Sequence, residues 1–200
     1  MPKLSSGSLE SFLIKLGSSD AAPGGGAAAA VVIAEAAALG EMVARLNLKR
    51  SQKKGLKNAL SLKNIALLSA IRREALRLME DDVRGFLALS KFGKAQREGA
   101  AYTKALERAA AAPCRMCLLA EKGIALAASE MPRTGLWVYS DLLESAVLFD
   151  AGFRSARLNV EINLSAMKPS RFTARTVSRL DEAAQKIKVG HRVIFQGKKR

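Results

Sequence analysis

Asp82 and the run Pro23-Gly24-Gly25-Gly26 have the residue types and settings best suited to chemistry. Leu68, Ile71, Ala75, Leu78, Asp82, Phe86 and Leu89 recur at helical spacing and form one apolar stripe that Asp82 interrupts. A carboxylate on such a stripe costs several kcal/mol unless partnered, and burial pushes its pKa up. That makes Asp82 a candidate general acid/base, or else a structural aspartate held by a buried arginine or a helix end. Its neighbour Asp81 falls on the opposite face with Glu74, Arg77 and Arg84, where it is solvated. The glycines leave the backbone free to take positive φ and expose consecutive N–H groups. The alanine-rich helix they open points its positive dipole end forward, which favours an anion or a polarised carbonyl. The run lacks the Lys-Ser/Thr of a phosphate loop and the spacing of a dinucleotide fingerprint, and it also reads as a tight turn before a close-packed helix.

The next candidates are charges. Lys+Arg number 33 against 18 Asp+Glu, a net charge of +15 that calls for a polyanionic partner: nucleic acid, an anionic surface or a multiply charged small molecule. The bases gather at Lys49–Lys57 (Lys49 and Lys53 among them), at Arg72, Arg73 and Arg77, at Arg171, Arg175 and Arg179, and at Lys198–Arg200. Arg171, Arg175 and Arg179 step by four and share a helical face, either a solvated face or a binding stripe. Cys114 and Cys117 form one C-x-x-C, but His191 is the only histidine, so a closed metal site is not expected. The pair reads as two small apolar side chains on one helix face in a reducing cytosol.

The elements that must position these residues read as helices throughout, an all-α single-domain bundle spanning 1–200 with a basic tail at 190–200. Expected helices cover Ser8–Leu16, 27–47, 57–89, a segment ending near Ala112, one opening at Pro113 and reaching Met131, one capped by Ser140 and reaching Leu164, and one opened by Pro169 and reaching Val189. A polar break is expected at Ser51–Gly55. Residues 27–46 are apolar enough to suggest a membrane span, but Glu35, Glu41 and Arg45 favour a buried helix away from membrane. No basic-then-apolar leader is seen, so the expected location is cytoplasmic. The 141–164 helix is apolar over so wide an arc that self-association is expected; its Asp141 sits in the first turn, where it suits the helix dipole.

Several of these pieces, in this order, resemble the formiminotransferase-cyclodeaminase / methenyltetrahydrofolate cyclohydrolase family. They are Ser8–Leu13, Ala22–Gly26, Met42-Val43-Ala44 before a basic cluster, Asp81-Asp82-Val83 ahead of Phe86, Pro113, Ser140-Asp141, and Arg154-Ser155-Ala156 with Leu158–Leu164. The resemblance covers roughly residues 8–165 and is nearest to the stand-alone cyclohydrolases. It implies an all-helical dimer of long antiparallel helices that binds a tetrahydrofolate derivative as substrate, with no metal or redox cofactor. The chemistry implied is water addition to 5,10-methenyltetrahydrofolate or loss of ammonia from 5-formiminotetrahydrofolate. It places Asp82 as acid/base and Asp141 as an orienting group. Pro23, Gly24, Gly25, Gly26, Ser140 and Asn159 become substrate contacts, and Lys49 and Lys53 would attract a glutamate or polyglutamate tail. Members usually carry asparagines where this chain has Gly135, Trp137 and Arg45, and an apolar residue where it has Glu35. The competing classes are a non-catalytic basic helical protein binding RNA or another polyanion, and an inactive homologue acting as a partner subunit. Against RNA, the chain has no recognised nucleic-acid motif, and its two Tyr and one Trp offer few stacking platforms.

Overall fold

A computed structural model describes residues 4–197; the expected basic stretch Lys198–Arg200 lies outside the described residues. Six α-helices make the structure: α1 (Leu9–Leu16), α2 (Gly25–Lys53), α3 (Ala59–Leu89), α4 (Ala100–Glu130), α5 (Tyr139–Ser165) and α6 (Arg171–Gln196), with no strand among the described residues. Helix α2 is the centre. Ala27, Ala29, Ala30, Ala34, Ala36, Ala37 and Ala44 are buried around much of its circumference, and their short side chains let neighbours approach closely. Helices α3 and α5 flank α2 and run antiparallel to it, shown by the pairings Gly26 with Asp82, Gly40 with Leu68, Gly25 with Asn159 and Gly152 with Ile33. Helix α4 closes the four-helix layer and runs antiparallel to α3 and α5; α6 lies over α4 and α5, where Lys186 pairs with Glu121 and Arg157 with Asp181. Phe149, Leu68, Leu78, Met79, Met116 and Ile124 fill the space between helices. The Phe149 ring lies where a Cβ at Gly123 would stand, so glycine is required there for α4 and α5 to pack.

Several expected boundaries move, each for a physical reason. Helix α2 starts at Gly25 and passes through Ser51 to Lys53; the stop is Gly55, at φ 69°, rather than the polar residues before it. Pro113 opens no new helix but sits inside α4, buried. The helix absorbs the lost bond to the Ala109 carbonyl because α2, α3, α5 and α6 pack around it. Ser140 does not cap α5: a 3₁₀ turn at Leu136–Val138 runs directly into the helix, Val138 is the cap, and Ser140 is an exposed first-turn residue. Helix α6 is capped by Ser170, whose hydroxyl accepts from the Thr173 N–H, and extends to Gln196. Helix α2 is long and apolar enough to cross a membrane by length and composition, yet most of that window is buried in the bundle.

The apolar arc of α5 is taken up inside the chain by α2, α4 and α6, leaving Val147, Leu158 and Ile162 exposed. The stripe carrying Glu35, Leu39, Met42 and Leu46 is the outer face of α2, with Met42 and Leu46 open to solvent.

At the end of the bundle where α2 and α4 finish and α3 begins, Glu130 is 0 % exposed. Its carboxylate accepts from Asn47 Nδ2 at 2.9 Å, Ser61 Oγ at 2.8 Å and Asn64 Nδ2 at 2.7 Å, tying three helices to one acceptor. Removing it leaves the buried Ser61 hydroxyl without its acceptor and takes one acceptor each from Asn47 and Asn64, which keep Thr134 and Ser129. Glu130→Ala is expected to lower unfolding free energy in urea by at least about 3 kcal/mol, whereas Lys122→Ala on the exposed face of the same helix stays within about 0.5 kcal/mol.

Candidate functional site

At the opposite end of the bundle, the N-terminus of α2, the C-terminal thirds of α3 and α5 and the N-terminal half of α4 enclose a cleft of about 470 Å³. The apolar stripe of α3 leads into it. Leu68, Ile71, Ala75 and Leu78 are buried in the core; one turn on, Asp82 is half-buried, and Phe86, 44 % exposed, and Leu89 are cleft wall. Asp82 therefore stands where the stripe leaves the core, not within it. Its carboxylate has no hydrogen-bond or ion-pair partner among the described residues, and burial pushes its pKa from 3.8 up to about 6. Asp81, one residue earlier, takes two arginines on the outer face: Arg77 Nη1 at 2.6 Å and Arg84.

Gly24 is extended, with φ −134° and ψ −154°, so positive φ is not why glycine occurs in this run. At Gly26 close approach is the reason; a Cβ on Gly24 would meet open space. A Cβ on Gly26 would lie 2.2 Å from Asp82 Oδ1, and one on Gly25 would touch the Asn159 amide at 3.5 Å. The first N–H groups of α2 receive no side-chain cap, and no acidic residue lies in its first turn. The donors of a helix N-terminus thus stand beside an unpaired carboxylate that burial makes a stronger base than an ordinary aspartate. This arrangement can transfer a proton and stabilise negative charge on one substrate atom.

The structure brings Gly24, Gly25, Gly26, Asp82 and Asn159 together. Pro23 is buried and does not line the cleft. Asp141 and Ser140 sit at the other end of α5, 18 residues before Asn159 in the case of Asp141, about 27 Å along the axis. Lys49 and Lys53 sit at the far end of α2; Lys49 is 24 residues on from Gly25, about 36 Å away. Within one chain the lysines expected to attract a glutamate tail are therefore remote from the glycine-lined cleft. Tyr102, Leu106 and Asn163 also line the cleft and were not expected there. Tyr102 is held by an edge-to-face contact with Phe92 at 5.5 Å, and Asn163 donates to the Asn159 carbonyl at 2.8 Å. A polar i,i+4 pair on α5 was the available signal for Asn163; Tyr102 follows an irregular stretch and gave none. Cys114 and Cys117 are both free thiols, and Cys117 is buried with Sγ 3.7 Å from the Phe153 carbonyl oxygen.

Asp82 binds its proton more tightly in the folded chain than in the unfolded one, so stability falls as pH rises through the window from about 3.8 to about 6. Asp82→Asn, which does not titrate, is expected to be more stable than the parent chain in thermal melts above pH 6, with the difference closing as pH falls below 4. A difference independent of pH would show that the carboxylate is not held against its charge.

Comparison with known proteins bears on the fold and the family. Residues 8–182 match the formiminotransferase-cyclodeaminase family. A methenyltetrahydrofolate cyclohydrolase from Methylorubrum extorquens AM1 is 33 % identical over 183 residues, covering 86 % of each chain. The crystal structure of a formiminotetrahydrofolate cyclodeaminase from Thermotoga maritima superposes with a TM-score of 0.85 over 96 % of this chain and 95 % of its own, at 22 % identity, which establishes a shared fold. The chain belongs to the formiminotransferase-cyclodeaminase family.

Proposed function

We propose that this chain hydrolyses 5,10-methenyltetrahydrofolate to 10-formyltetrahydrofolate. The observation that carries the reading is the unpaired Asp82 carboxylate, raised to about 6, facing the glycine-opened helix end inside a cleft of about 470 Å³. The identity to a named cyclohydrolase supports this reaction over ammonia loss.

Water attacks the amidine-like carbon that bridges the two folate nitrogens. Asp82, as carboxylate, takes one proton from that water as the new C–O bond forms. It then returns the proton to N5 as the C–N5 bond breaks, and the remaining hydroxyl proton leaves to solvent as the formyl carbonyl forms on N10. A group with a pKa near 6 is suited to both halves, since it is neither fully committed base nor fully committed acid at neutral pH. The uncapped N–H groups of Gly25 and Gly26 face the oxygen on which negative charge builds. Asn159 and Asn163 supply polar edges for the pterin, and Phe86 and Tyr102 supply its apolar walls.

We also infer a homodimer in which a second copy covers the open apolar face of Met42, Leu46 and Val147. The turn before α5 adds to that surface, with Trp137 96 % exposed and Leu136 80 % exposed.

Loss of methenyltetrahydrofolate absorbance, corrected for spontaneous hydrolysis, tests the reaction. Asp82→Asn should slow it by about 10²–10⁴-fold with helical content unchanged, while Asp81→Asn leaves the rate within about twofold. Release of ammonia from 5-formiminotetrahydrofolate with no hydrolysis would assign the other reaction to the same cleft. Sedimentation should give a dimer at micromolar concentration, and Leu46→Glu should shift it toward monomer; a parent chain that sediments as monomer rules the dimer out.

A further inference from the structure

A concavity of about 920 Å³, about twice the volume of the Asp82 cleft, lies on a face that the proposed chemistry does not use. Its walls are the N-terminal half of α3 and the C-terminal half of α6, and its floor is α4. Both walls pack on α4 and make no substantial contact with each other. Helix α6 runs parallel to α4, since Lys186, Gly190 and Gly197 meet Glu121, Ile124 and Met131 in order. Each of the three helices carries a run of lining residues at alternating steps of three and four. On α3 the run is Leu60, Lys63, Leu67, Ala70 and Glu74. On α4 it is Leu119, Lys122, Leu126 and Ser129, and on α6 it is Lys186, Val189 and Val193. That spacing is the seam along which one helix receives another. The α3 run spans about 21 Å, four turns of helix. Leu67, Val189 and Val193 are open to solvent there, Val189 at 60 %. Single exposed apolar side chains are ordinary, but a row of them lining a concavity marks a docking surface.

Charge narrows the occupant. The carboxylates that line the groove are already taken, Glu74 by Arg77 and Arg115 and Glu121 by Lys186. Lys63 and Lys122 stand at seam positions and have no ion-pair partner among the described residues. An incoming helix therefore meets unpaired cations, and carboxylates on its flanks suit them. A second copy of this chain fits poorly. A symmetric contact would set Lys63, Lys122 and Lys186 against their own equivalents. A head-to-tail contact would leave a groove open at every step and run on into filaments. Helix α1, at eight residues, is too short to fill four turns.

We propose that this groove seats an amphipathic α-helix of a different protein, with apolar residues at the same three-four spacing and carboxylates beside them. The apolar stripe of that helix covers Leu67, Val189 and Val193, and its carboxylates meet Lys63 and Lys122. The docked helix occupies the side of α4 left open between α3 and α6. Leu119, the groove residue of α4 nearest the cleft, is 10 residues on from Ala109 in the cleft wall, about 15 Å along the helix. Substrate access to Asp82 is therefore left free. The groove also shares no residue with the Met42, Leu46 and Val147 face, so the proposal depends on neither the dimer nor the folate reading.

The probe is a fluorescein-labelled synthetic peptide of about three heptads, with Leu at the seam positions and Glu on both flanks, whose like charges keep it from pairing with itself. Anisotropy with the intact chain should give a dissociation constant on the order of 10⁻⁶–10⁻⁵ M. A peptide of the same composition with its leucines off the seam, and one with Lys in place of Glu, should each bind at least about tenfold more weakly. Leu67→Glu/Val189→Glu should weaken the acidic peptide about tenfold or more while keeping the helical circular dichroism of the parent. Lys63→Glu/Lys122→Glu should reverse the preference, so that the Lys peptide binds more tightly than the Glu peptide, which a merely damaged surface would not do. Equal binding of the off-seam peptide, or binding that neither pair of substitutions alters, overturns the proposal. A parent chain that sediments as filaments, dispersed by Leu67→Glu/Val189→Glu, makes a second copy the occupant and overturns it too. So does binding to phosphatidylglycerol vesicles that is lost in the same variant, with no binding of the peptide.

Discussion

The structure depends on how closely two helices approach α2. Along its buried face α2 presents chiefly alanine and glycine (Gly26, Ala29, Ala30, Ala36, Ala37 and Gly40), with Ile33 and Val43 among them, so α3 and α5 can press against it from both sides. Dispersion between close-packed surfaces falls off steeply with a gap of even an ångström, so this proximity does much of the work of holding the bundle together. The same proximity builds the cleft. At the first turn of α2 there is no Cβ on Gly26, and the space is taken by the carboxylate of Asp82 from α3; on the other side Gly25 abuts Asn159 from α5. The site is thus a continuation of the core packing, with polar atoms substituted where the core runs out.

The two ends of the bundle solve the problem of buried charge in opposite ways. At one end Glu130 is enclosed but receives donors from Asn47, Ser61 and Asn64, bonds that also staple three helices. At the other, Asp82 is half-buried and receives none, so its charge is disfavoured and its proton retained to higher pH. A carboxylate that is fully satisfied serves stability; one left unsatisfied at a cleft wall is available to a substrate.

Much of this was legible in the chain. Helical periodicity separated Asp81 from Asp82, and the structure places them on opposite faces, one between arginines and one in the cleft. The all-helical architecture followed from the same periodicity. What did not follow were properties of three-dimensional distance. Lys49 and Gly25 look like neighbours in a chain of this length, but a continuous helix separates them, and its continuity through Ser51 was hidden by polar residues that an exposed helix end tolerates well. Pro113 looked like a helix start because its own chemistry favours one, whereas the helices packed around it keep α4 continuous from Ala100 to Glu130. The glycines were expected for their backbone freedom, whereas Gly26 is needed for its lack of a side chain.

That last point bears on how such chains can change over time. The Asp82 carboxylate occupies the space where the Gly26 side chain would be, so the two positions cannot drift independently. While Asp82 is kept, every substitution at Gly26 collides with it. Once Asp82 is lost, alanine at position 26 becomes sterically open and is favoured by helix propensity, by up to about 1 kcal/mol. Gly26 and Asp82 are therefore a coupled pair, and an alanine at position 26 requires the carboxylate either to move or to be absent.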